Sequence, residues 1–205
     1  AERLIDALDD GSLTATPTCI QALQGAFAGL MTYLDELVEG MPHRPLRLFP
    51  AYRAVMEVRG AERIQESELF FPDLSVRPPR RETPELPADM REFVLGQRRR
   101  FQTHLLRWLR NAADNAALRE MGEAVRAIER TQALPQHRAF WWVTIGFVDA
   151  LVAVGAHAGM EAKRLCARID LQMKRLMEGS QNVTERLLPD TLYFVAKSRV
   201  KSQQV

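Results

Sequence analysis

Four histidines, two cysteines and a run of three arginines are the residues in this 205-residue sequence whose chemistry could reach beyond folding. His43, His104, His137 and His157 stand far apart, and none has a second ligand type one helical turn away. Cys19 and Cys166 are also remote from each other and sit in apolar helical patterns, with no CxxC or Cys/His cluster near either. Zinc and a disulfide framework are therefore not indicated, and two buried free thiols in a reducing compartment are expected. No GxGxxG, GxxxxGK[ST], HExxH or GxSxG motif occurs, so no catalytic, cofactor-binding or metal-binding residue is assigned.

One helical chemistry needs only a single exposed histidine. In phosphotransfer bundles a base follows the phosphoacceptor by three residues, and a glycine follows by four to leave room for the donor. His104-Leu105-Leu106-Arg107 supplies the base, but Trp108 stands at the glycine position, where a bulky ring would obstruct the partner. The other three histidines match neither position. Arg98, Arg99 and Arg100 would spread around a helix, so at least one must leave any single patch. They read as a solvated face, with Arg98 and Arg99 as candidate partner contacts. Trp141 and Trp142 diverge by about 100°. One faces the core and the other a surface groove, and Trp141 is taken as the candidate contact. Phe71 is a fourth.

These side chains sit on helices with legible ends. Thr16-Pro17 opens a helix with Ile20, Leu23, Phe27, Leu30, Leu34 and Leu37 on one stripe, stopped by Gly40 and Pro42. A shorter helix runs from Pro50 to Gly60. The segment 66–74 fits neither period and reads as an extended strap whose Leu69, Phe70 and Leu74 plug into grooves. Five helices follow: 87–110, 114–131, 135–155, 159–178 and one opened by Asn182-x-x-Glu185, with Pro189 kinking it. The helix 135–155 is apolar on nearly every side, which marks it as the central, most buried one. The fold class is all-α: about seven helices in antiparallel hairpins, phosphotransfer-domain-like. The expected organisation is an N-terminal hairpin with strap over 1–75, a Pro/Arg-rich linker over 76–87, a bundle over 88–198 and a tail over 199–205.

With 28 basic against 26 acidic side chains the net charge is +2, which gives no general attraction for nucleic acid or anionic lipid. The most apolar run, 139–154, contains Asp149 and is shorter than the roughly 20 residues of a membrane span. A soluble, cytoplasmic protein is expected. The first residues show no signal peptide, and the missing initiator Met suggests a piece of something longer.

Longer stretches carry a family resemblance. Leu46 to Leu74, with Pro50, Arg59-Gly60, Glu68-Leu69-Phe70 and Pro72-Asp73-Leu74, resembles the N-terminal region of the Chp/Pil-type hybrid chemosensory histidine kinases (ChpA or PilL) and their shorter scaffold relative, FimL. Phe101-Gln102, Leu105-Leu106-x-Trp108-Leu109-Arg110, Phe140-Trp141-Trp142-Val143, Arg164 to Gln172, Glu185 to Leu188 and Leu192-Tyr193 extend it across 17–198. The resemblance implies a non-catalytic scaffold module of the two-component pathway behind type IV pilus twitching. Receiver or polar scaffold proteins would be its partners, and they would recruit it to the cell pole or inner membrane. The kinase and receiver domains of such proteins are absent, and H-x-x-K-G is missing, so the segment is expected to be degenerate for phosphotransfer. Two other readings compete: an active phosphotransfer domain using His104, and a TetR-like regulator, which would need a basic N-terminal helix-turn-helix.

Overall fold

The computed structural model describes residues 2–75, 78–79, 84 and 86–202, with side chains to 198. The described residues form eight α-helices and short 3₁₀ turns, with no strand among them. The chain divides into two compact units, Ala1–Phe71 and Pro72–Val205. Most of 76–87 and the last residues of the tail lie outside the described residues.

The first unit holds α1 (Glu2–Asp9), α2 (Pro17–Val38) and α3 (Phe49–Val58). The short α1, which buries only Leu4, is the helix beyond the expected seven. Thr16 caps α2 by accepting from the Cys19 amide at 3.2 Å. Gly40, at φ 84°, turns the chain so that the Met41 amide reaches back to the Glu36 carbonyl, as a left-handed glycine end requires. The face α2 buries differs from the expected stripe. Cys19, Ala22 and Tyr33 point inward, while Ile20, Phe27, Leu30 and Leu34 are exposed. Small residues decide this: α3 comes so close that a Cβ on Gly29 would lie 3.6 Å from that of Ala51. The larger side chains are left on the outside.

The strap also departs from expectation. Glu66–Leu69 forms one 3₁₀ turn, tied to α3 by a hydrogen bond from Tyr52 to Glu68. Side chains wind around such a turn, so Ser67 is buried while Leu69 and Phe70 are only half-buried. Leu74 lies beyond the turn and is exposed rather than plugged in.

The second unit is a closed ring of five helices: α4 (Met90–Arg110), α5 (Asn115–Thr131), α6 (Pro135–Val154), α7 (Gly159–Met177) and α8 (Leu187–Ser202). α4 packs on α5, α5 on α6, α6 on α8, α8 on α7, and α7 back on α4. Phe101, Trp108, Leu118, Met121, Phe140, Phe147, Ile169 and Met173 fill the centre. The most buried helix is α5, with nine of 17 residues inside, against nine of 20 for α6. α6 is flanked by α5 and α8 but keeps an outer stripe open, which is why its near-continuous apolarity overstated its burial. The stretch Pro135–His157, with mean hydropathy 1.7, is long and apolar enough to cross a membrane, and here it packs as one member of the bundle. Glu129 and Arg138 form a buried ion pair between α5 and α6, and Arg138 also donates to the Pro79 carbonyl.

The last helix starts at Leu187, not Asn182. The buried Gln172 amide takes over the intervening segment: its Nε2 donates to the Asn182 carbonyl at 2.9 Å, and its Oε1 accepts from the Thr184 amide at 3.2 Å. Pro189 therefore falls in the first turn of α8, where no amide is needed, and has no ladder to kink.

Polar clasps hold α4 to α5. Arg100 donates to Glu120 at 3.0 and 2.7 Å, and Arg107 to Asp114 at 3.0 Å. The hydrogen bond from Arg100, then its charge, lowers the Glu120 carboxyl below its ordinary 4.5. Asp114, the cap of α5, is held below 3.8 first by the Ala117 amide and then by Arg107. Groups depressed in the folded state stabilise it above their unfolded values and lose that contribution as pH falls. Melting temperature should thus be flat above about pH 5 and decline below about pH 4. Arg100→Gln should make that acid decline shallower. A second prediction locates the core. Phe147→Ala should cost about 3–5 kcal/mol in denaturant unfolding, and Trp142→Ala less than about 1 kcal/mol.

Candidate partner-docking surface

α4 presents a different chemistry to each direction because consecutive residues turn by about 100°. Val94, Phe101 and Trp108 face the core. Arg98 meets α7 in a bidentate pair with Asp170, both contacts at 2.9 Å, and this pairing raises the guanidinium pKa. Arg100 meets α5. Arg99 alone of the three points to solvent, with no ion pair among the described residues. The arginine run therefore splits three ways. Arg98 is a clasp within the bundle and not a free partner contact.

The tryptophans exchange the roles expected of them. Trp141 is 3% exposed, stacked edge-on against Phe140, whereas Trp142 is 40% exposed. The surface residue of the pair is Trp142. Phe71, at 64% exposure, ends the first unit.

His104 sits in surroundings that the sequence did not foresee. Trp108 does not obstruct it, because that ring is buried in the core. The imidazole itself is only 18% exposed, with Nε2 lying 3.9 Å from Glu120 Oε2. Arg107, the base at the third position, is engaged by Asp114. Cys166 is equally withdrawn, its thiol pushed up to about 12 by burial. Among the described residues no group of three His, Cys, Asp or Glu side chains could hold a metal ion.

What gathers instead is an amphipathic surface along the α4–α7 seam. Helical periodicity puts Gln102, Leu106 and Leu109 on the flank of α4 that carries Arg98. It puts Lys163 and Ala167 on the flank of α7 that carries Asp170, with Leu171 about 100° further round on the outer face. Leu106, Leu109 and Leu171 are exposed, as are Met160, Arg99, Lys163 and Arg164. Arg99, Lys163 and Arg164 have no ion-pair partner among the described residues. The arginine run does not point to these leucines. The usable signal was that Leu106, Leu109 and Leu171 fall off the apolar stripes of their helices. Charge sharpens the picture. From Pro72 onward there are 22 basic and 15 acidic side chains, or +7, against 6 and 11, or −5, up to Phe71. The overall +2 hides two units of opposite sign.

Residues 86–205 match the family model described as the FimL scaffold protein second domain. Over 183 residues, 87% of this chain, the sequence is 27% identical to the scaffold protein FimL of Pseudomonas aeruginosa. The chain spans about a third (33%) of the length of that curated relative. No solved structure matches. With the family model covering more than half of its length, the chain belongs to the FimL scaffold family and carries that family's second domain.

Proposed function

We propose that this chain is a non-catalytic docking module of a cytoplasmic scaffold in the type IV pilus chemosensory pathway. The observation that carries this reading is the α4–α7 surface, where unpaired cations border exposed leucines on a unit of charge +7. Such a surface suits a partner with an acidic rim and an apolar centre, since opposite charges speed encounter and apolar burial supplies affinity. A receiver or a polar scaffold protein of the pathway is the proposed partner, and its recruitment would bring the chain to the pole or inner membrane. Arg99 belongs to this contact, and Phe71 is a second proposed contact on the other unit.

The module is degenerate for phosphotransfer on this reading. Transfer needs an exposed nucleophile and a free cation for the phosphoryl charge. His104 is mostly buried beside a carboxylate, and its nearest sequence candidate for that cation is already paired. A DNA-binding role is disfavoured too, because the N-terminal unit, where a regulator would keep its recognition helix, carries −5.

Two measurements test the proposal. Calorimetric titration against purified receiver and polar scaffold proteins of the pathway should show binding that weakens at least about tenfold in Leu106→Glu/Lys163→Glu, with melting temperature unchanged. Unaltered affinity in that variant for every partner that binds would refute the surface. Incubation with the pathway kinase and ATP should leave no acid-labile, base-stable phosphate on the chain, and His104→Gln should bind partners as the parent does. A phosphate signal abolished by His104→Gln would make the domain a working relay.

A further inference from the structure

α2 carries a second pattern beside the one that folds it. Positions 20, 24, 27, 31, 34 and 38 alternate four and three residues apart, the spacing of a coiled-coil seam. Ile20, Phe27, Met31, Leu34 and Val38 occupy five of the six, all exposed, and Val38 is 89% so. Met41 continues the spacing just past the helix end and is exposed as well. None of these is part of the cluster formed by Leu4, Cys19, Ala22 and Val55. A contiguous apolar stripe this long, left in water, marks an interaction site.

We infer that the stripe pairs with the same stripe of a second copy, α2 against α2, parallel and in register. Charge favours a copy as the occupant. No charged residue occurs between 11 and 34, so two α2 helices meet over most of their length without like-charge repulsion. Gln24, the sixth seam position, sets the register. Its amide both donates and accepts, so its own copy is a matching partner, whereas an antiparallel pair would set it against an apolar side chain. The flanking positions agree up to residue 34, where Gln21 and Ala28 on one edge and Leu23 and Leu30 on the other are uncharged; Asp35, near the end of the helix, is the first carboxylate on an edge. The seam is about 27 Å long and one helix wide, at the small end of specific interfaces. The dimer is accordingly weak, with a dissociation constant on the order of tens of micromolar.

Sedimentation velocity on the 205-residue chain, from about 5 to 500 μM, should show the mass rising from 23.3 kDa toward twice that value. Phe27→Glu/Leu34→Glu changes only exposed positions, so it should keep its helical signal and melting temperature yet stay monomeric throughout. Single cysteines at Ile20 and at Leu34, near opposite ends of the seam, should each form a disulfide with their own copy, which an antiparallel pair cannot do at both. The native thiols are buried and do not interfere. A chain that stays monomeric at the highest concentration overturns the inference, with the stripe then left for a different protein. So does a dimer that survives the double substitution, or cross-linking at only one of the two positions.

Discussion

The second unit depends on one constraint, the 100° turn between neighbours on α4. Because Arg98, Arg99 and Arg100 cannot share a direction, the helix binds α7 on one side and α5 on another while its apolar stripe fills the centre. Those two clasps differ in kind. The Arg98–Asp170 pair is bidentate and mostly shielded, so its geometry matters and a lysine could not replace the arginine. The Arg100–Glu120 and Arg107–Asp114 pairs lie nearer solvent, where such contacts are worth little each and fade with salt. Orientation of α4 on α7 is thus the tighter restraint, and the leucines and cations bordering that seam inherit its rigidity.

Helix ends were the most legible part of the chain, because capping chemistry is local. Thr16 with Pro17, Gly40 with Pro42 and Asp114 each act where the pattern placed them. Burial was harder to read. α2 has two apolar faces, and which one turns inward depends on the small residues that let α3 approach, a tertiary fact that periodicity does not contain. The same holds for Trp141 and Trp142: adjacency guarantees that they diverge, but not which one faces the core. Asn182 looked like a helix cap because its spacing to Glu185 is right. The Gln172 amide on another helix claims that backbone first. The proposed docking surface was visible only as leucines off their stripes, and it gained meaning once the chain divided into units of opposite charge.

The inner face of α4 carries an unusual set of polar atoms. Gln97 Oε1, His104 Nδ1 and Trp108 Nε1 are all buried without a hydrogen-bond partner in the protein. They recur at seven- and four-residue spacing along one side of the helix. Buried polar groups left unpaired cost about 1–3 kcal/mol each, so this face of the helix carries a standing energetic cost.

The grip of α7 on the segment before α8 extends well beyond one glutamine. Arg168 reaches Asp190 and the Glu185 carbonyl, Gln172 holds Asn182 and Thr184, and Arg175 donates to the Thr184 hydroxyl. Spaced four and three residues apart, these side chains form a ladder along one face of α7 that does for an irregular stretch what a neighbouring strand would do. Loop amides usually trade their hydrogens with solvent quickly, because nothing must break to expose them. The Thr184 amide is an exception by construction. Its deuterium uptake should be slower than that of the other amides in this non-helical stretch, and Gln172→Ala should remove the difference.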